Sequence, residues 1–177
     1  MDYLKVIKNN SELAEKLDEL CDFFLHDEFT ELDKDYEYSK VKFQVFGADA
    51  SGGSFGYIGE GDVSSLPIGY SSSEGQSGKI AENVSDFFHL IVFCPFWHDI
   101  LTIDRLNDKN YAVKTENEHK SHYENYDEMQ NFACGQLGLK KTPDILEKLY
   151  KALTSEPKFV VYSSVDDNPS EDLLSVY

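Results

Sequence analysis

Val41-Lys42-Phe43-Gln44-Val45-Phe46-Gly47-Ala48-Asp49-Ala50-Ser51-Gly52-Gly53-Ser54-Phe55-Gly56-Tyr57-Ile58 alternates apolar with polar residues, breaks on a Gly-rich run and then resumes. Val41, Phe43 and Val45 against Lys42 and Gln44 follow the two-residue period of a half-buried strand. The run from Gly47 to Gly53 is turn chemistry, so the segment predicts a β-hairpin. A second turn at Gly59-Glu60-Gly61-Asp62 leads to a strand at Leu66 to Tyr70, and Gly75 to Gly78 separates that strand from a short apolar segment around Ile80.

Downstream, Val84, Phe87, Phe88, Ile91 and Val92 fall at i, i+3, i+4, i+7 and i+8. That spacing predicts a helix packed on the sheet, capped by Asn83 and ended by Pro95. Phe96 to Leu101 reads as core, with a short helical turn. Residues 107–120 are polar and predict a loop broken by a short strand at Tyr111 to Val113. Met129, Phe132, Ala133 and Leu137 predict a helix stopped at Gly138, and Thr142-Pro143 opens another with Leu146, Leu149 and Leu153 on one face. Phe159 to Tyr162 reads as a strand. Residues 163–177, with four acids and a proline, predict a frayed or lightly docked tail.

Upstream, Leu13, Leu17, Leu20 and Phe24 recur at helical spacing, and Asn9 precedes Glu12 by three residues, so one amphipathic helix over residues 10–25 is expected. Asp27 to Tyr38 carries six acids against Lys34 alone, which predicts a solvated connector or part of an acidic face. The expected architecture is α+β, a central antiparallel sheet flanked by N-terminal and C-terminal helices. A length of 177 residues suits one domain, residues 1–177, and no internal repeat is present.

Hydrophobic residues make up 41%, with 12 Phe and 11 Tyr, which is enough to build a core. The net charge is -17, from 33 acids and 16 bases. A field of that sign repels phosphate and anionic head groups and steers a basic protein inward, so neither nucleic acid nor a membrane is expected as partner. Solubility alone is the plainer explanation of such a surface. The first residues lack the basic and apolar regions of a signal peptide, and no run approaches a membrane span, which predicts a cytoplasmic protein. Cys21, Cys94 and Cys134 are expected as reduced thiols.

Tests for reactive motifs find little. Gly75-Gln76-Ser77-Gly78-Lys79-Ile80 has its first glycine two residues too close for a phosphate-binding loop, and Ile80 stands where Ser or Thr belongs. His119 with His122 beside Glu116 and Glu118, and Cys94 with His98, offer too few ligands for a closed zinc site. Cys94 at the apolar end of a helix has nothing to lower its pKa as a nucleophile. No catalytic residue, metal or cofactor is expected.

Phe46 to Tyr57, and more fully Leu66-Pro67-Ile68-Gly69-Tyr70-Ser71-Ser72-Ser73-Glu74-Gly75-Gln76-Ser77-Gly78-Lys79-Ile80-Ala81 with Asn83 to Phe88, resemble the SUKH (Smi/Knr-like) superfamily. The shared pattern is a Gly-rich hairpin with an acidic residue, a strand, a Ser/Glu/Gly turn and a helix with paired aromatics. In one branch a proline-aromatic segment like Pro95 to Leu101 follows. The resemblance covers about residues 41–103. The early proline and Asn-Gly strand-turn of the family is absent, and the acidic connector stands in its place.

The resemblance implies the same α+β fold and, in bacteria, immunity proteins that neutralise protein toxins, often nucleases. Other relatives are fungal cell-wall synthesis regulators that act as binding hubs. Together with the charge, it points to a non-enzymatic immunity protein, or else a regulatory scaffold with an endogenous partner. The residues expected at the partner interface are Asp49, Ser51, Glu60, Asp62, Ser72 and Glu74, with Tyr57 and Tyr70 as aromatic anchors. Packing on the sheet is the competing role for the two tyrosines, and simple turning for the Gly/Ser runs.

Overall fold

The Gly-rich hairpin forms as its alternation demands: β3 (Phe43–Ala48) pairs antiparallel with β4 (Ser54–Ile58). In the computed structural model, which describes residues 1–174, this hairpin is the middle of a larger sheet. β1 (Phe24–Thr30) flanks β3, while β5 (Ile68–Ser71) and β6 (Gln76–Ala81) continue beyond β4. β8 (Glu171–Asp172) closes the far side parallel to β6, giving the order β1-β3-β4-β5-β6-β8. A separate ribbon pairs β2 (Glu37–Ser39) with β7 (Val161–Ser163). The architecture is α+β, a mostly antiparallel sheet with helices around it.

One face of the sheet carries the helices α1 (Tyr3–Lys8), α2 (Ser11–Cys21), α3 (Val84–Phe93), α6 (Tyr126–Leu137) and α7 (Ile145–Thr154). α3 is central: Phe87, Phe88, Ile91 and Val92 are fully buried, each contributing about 1.5–3 kcal/mol of transfer free energy. Its start is reciprocal, since the Asn83 side chain accepts from the Asp86 N–H while its amide donates to the Asp86 carboxylate, both at 2.9 Å. Phe23 sits edge-on to Phe87 and Phe88, with ring centroids 5.6 and 5.7 Å away. The expected helical turn after Pro95 is a 3₁₀ turn, Trp97–Ile100, and Gly138 ends α6 in the left-handed region.

The opposite face holds a smaller core of Leu32, Phe43, Val45, Phe159 and Val161. Gly69 makes room for it: a Cβ there would lie 2.9 Å from the Phe159 ring. Phe159 in turn packs against Phe43, the ring centroids 4.6 Å apart and the rings tilted by 40°.

Four expectations are corrected. The first helical region is two helices, and Asn10 rather than Asn9 caps the second; α2 ends at Cys21 because Asp22 turns left-handed, with φ 52°. Phe24 therefore opens a strand, and the acidic stretch after it is strand β1, a turn and β2 rather than a connector. Residues 107–120 are helical, α4 (Ile103–Asn107) running into α5 (Lys109–Ser121), so no strand forms at Tyr111 to Val113. Asp108 caps α5 through the N–H groups of Asn110 and Tyr111, and with only Ala112 and Thr115 buried the helix has no apolar stripe to announce it.

The fourth correction is the tail. Ser170 meets Ser77 at 2.6 Å, and Leu173 and Leu174 are buried, Leu173 lying over Gly78. Residues 175–177 of that segment lie outside the described residues. Among the described residues, no helix is long and apolar enough to cross a membrane.

The buried tail is testable by urea denaturation. Leu173→Ala is expected to cost about 2–5 kcal/mol, the range for emptying a packed leucine site. Val165→Ala, at a position 87% exposed, should stay within about 0.5 kcal/mol of the parent. Equal, negligible effects would mean that the tail is not docked.

Candidate protein-binding site at the hairpin end of the sheet

Asp49 closes the β3–β4 loop from inside. Its N–H donates to the Gly53 carbonyl at 3.1 Å, and its buried carboxylate accepts from the Gly53 N–H at 2.8 Å, the Ser51 hydroxyl at 2.6 Å and the Tyr70 hydroxyl at 2.5 Å. Burial alone would push this carboxyl up, but the donors from Ser51, Tyr70 and Gly53, with His98 nearby, outweigh it and hold the pKa below its usual value. Gly53 is required here because a Cβ would come within 2.2 Å of the Tyr70 hydroxyl oxygen. From outside, the Asp22 carboxylate accepts from the Ala50 N–H at 3.1 Å.

Tyr70 is 2% exposed, its ring edge-on to Trp97 at 5.3 Å and beside His98 at 5.1 Å. Burial, and then Asp49, push its hydroxyl pKa up, so it remains a donor. Tyr57 is equally buried and packs on Phe46 at 4.9 Å. Both tyrosines, expected as rim anchors, thus lie inside the fold.

The other expected residues divide between the two ends of the sheet. Ser72 and Glu74 occupy the β5–β6 turn, where the Ser72 hydroxyl accepts from the Gln76 N–H at 3.0 Å and Glu74 is exposed. This turn neighbours the Asp49–Gly53 loop, and so Asp49, Ser51, Ser72 and Glu74 share one end. Glu60 and Asp62 lie in the β4–β5 loop at the other. There Glu60 pairs with Lys42 at 3.8 Å, and Asp62 accepts from the Ser64 N–H at 2.9 Å.

Folding adds residues that sequence reasoning missed. A cleft of about 410 Å³ opens beside Ser72, walled by Tyr36, Glu37, Ser71, Tyr162 and Asp166. Glu37 is half-buried and accepts from the Ser71 hydroxyl at 3.1 Å; burial raises its pKa against that bond, and Asp33 adds to the rise. Tyr36 is 74% exposed. The acid run at residues 27–38 was the only sequence signal for this wall, because the β2–β7 pairing that assembles it is long-range.

Reactive chemistry is sparse. Burial pushes the Cys94 thiol up to about 12, so it stays protonated at neutral pH. Among the described residues, no group of three or more His, Cys, Asp or Glu is placed to hold a metal ion. The Gly75–Ile80 stretch is the β5–β6 turn and strand β6. The arrangement offers preformed carboxylates, hydroxyls and one exposed ring to a partner surface.

Asp49→Ala should destabilise the protein by about 3 kcal/mol at pH 7, since it strands the buried Tyr70 hydroxyl. A carboxyl depressed by folding contributes fully above its unfolded value of about 4 and loses that contribution as pH falls through the lower folded value. Denaturation curves of parent and variant should therefore draw together below about pH 4; a constant gap would exclude the charged form as the stabilising one. No family model matches the chain, and no curated protein or solved structure matches it, so its own residues carry the functional reading.

Proposed function

We propose that this protein is an immunity protein of the SUKH type, a non-enzymatic binder that neutralises a basic toxin in the cytosol. The toxin's expected class is a nuclease. The observation that carries the reading is the hairpin-end cleft, where Glu37 and Asp166 stand among hydroxyls and none of the lining residues is lysine or arginine. Exposed Asp22, Glu74 and Asp167 extend the same sign around it, within a chain of net charge -17. A toxin that grips nucleic acid carries a basic cleft, and a surface of this kind steers it in and covers it. Tyr36 supplies an exposed aromatic contact of the type found at interface hot spots. The resemblance of residues 41–103 to SUKH proteins supports the same reading. No cofactor is part of it.

The test is calorimetric titration with the toxin domain encoded beside this protein, at about 50 and about 500 mM salt. Tight binding that weakens about tenfold or more at the higher salt is expected. Absence of binding would overturn the immunity reading and favour a regulatory scaffold with an endogenous partner.

A further inference from the structure

The two edges of the large sheet are treated differently. β8 and β1 are the terminal strands, each paired on one side only, but β8 is two residues long whereas β1 runs for seven. The middle of β1 also stands off its neighbour: Leu25 pairs with Gly47 and Thr30 with Val45, leaving residues 26–29 opposite Phe46 alone. Residues 27–30 are exposed, Phe29 by 52%. A protein that leaves such an edge open guards it with charge or uses it for pairing.

Three observations favour use. Beside β1 runs a groove of about 610 Å³, bounded by α1 and the β4–β5 loop, with Leu25, Phe29, Phe46 and Val84 as apolar lining. Tyr57 is part of that lining, and its hydroxyl has no hydrogen-bond partner among the described residues. One edge carbonyl already holds a cation, since the Lys8 ammonium donates to the Asp27 carbonyl at 2.5 Å.

Charge selects the occupant. The side chains lining this groove and the one adjoining it include Asp2, Glu15, Asp18, Asp27 and Glu28 against Lys5 and Lys8. A second copy would bring the same acids and is repelled, whereas a basic segment is attracted. The upper end of β1 is also continuous with the hairpin end, Phe24 pairing with Ala48 and Asp22 holding Ala50.

We infer that an extended, basic segment of the protein partner adds a strand along residues 26–29 of β1 and seats an apolar side chain in the neighbouring groove. This rests on the reading that the partner is a basic protein, but not on that partner being a toxin. Main-chain pairing supplies affinity, the groove selects alternate side chains, and the acids set the sign.

The intact protein can be tested with an octapeptide of alternating lysine and valine. A glutamate–valine peptide and the lysine–valine peptide methylated at every backbone nitrogen serve as controls, the latter keeping the charge without strand N–H donors. The lysine–valine peptide is expected to bind at low salt and to slow hydrogen exchange of the amides at residues 26–29, with neither control doing so. Glu28→Lys, at an exposed site, should weaken it about five-fold. No binding, equal binding of the N-methylated peptide, protection confined to residues 49–53 and 72–75, or an unchanged affinity of the variant would each overturn the inference. Because no toxin is present, failure here leaves the toxin titration standing, and failure of that titration leaves this result readable.

Discussion

The carboxylate of Asp49 has three donors aimed at it from two places: the Gly53 N–H and Ser51 hydroxyl of the loop it sits in, and the hydroxyl of Tyr70 on β5. The Gly53 N–H and the Tyr70 hydroxyl have already given up water, so each depends on the carboxylate remaining in position. Tyr70 carries the constraint inward, to Trp97 and Phe55, and Phe55 meets Phe87 of α3. The loop geometry and the helix-side core are therefore one connected object. An acidic residue in a Gly-rich hairpin invites a reading as a contact for a partner, but here its charge is consumed internally. What remains for a partner is the surface that this internal bonding holds still.

Legibility tracked the range of the interactions. The β3–β4 hairpin, α3 with its Asn83 cap, and the stop of α6 at Gly138 are written in spacings of a few residues, and all were readable. β1 was not, because its alternation is masked by Asp27 and Glu28 on an edge where polar residues cost nothing. α5 was missed for the mirror reason: it is a polar helix whose capping aspartate resembles any loop aspartate. In the site, turn chemistry put Asp49, Ser51, Glu60, Asp62, Ser72 and Glu74 in loops at the sheet rim, but it carried no signal that they divide between the two ends of the sheet. Tyr36, Glu37 and Asp166 were out of reach, since only the pairing of Glu37 with Ser163 brings them there. The burial of Tyr57 and Tyr70 likewise depends on which strand face meets α3, a matter no local pattern decides.

The second face shows how the C-terminal segment became structural despite its composition. Phe159 occupies the space that Gly69 leaves, Val161 joins the ribbon to Glu37's strand, and Ser170 bonds Ser77. Acids and a proline between these points face water, so average polarity concealed a few well-separated anchors. The same segment builds one wall of the acidic cleft, and the packing that stabilises the sheet also assembles the surface offered to a partner.

The closing of β6 by β8 joins residues 93 positions apart, Ser77 to Ser170. During synthesis the hairpins of the sheet are complete long before that strand leaves the ribosome, so for much of its production the nascent chain has both flanks bare. Once β8 pairs, the β6 flank is reduced to a two-residue edge strand while β1 stays open. Crowded nascent chains would pair side by side through the unfinished flank, and the burden of keeping them apart falls on the negative charge that the chain accumulates after its first ten residues.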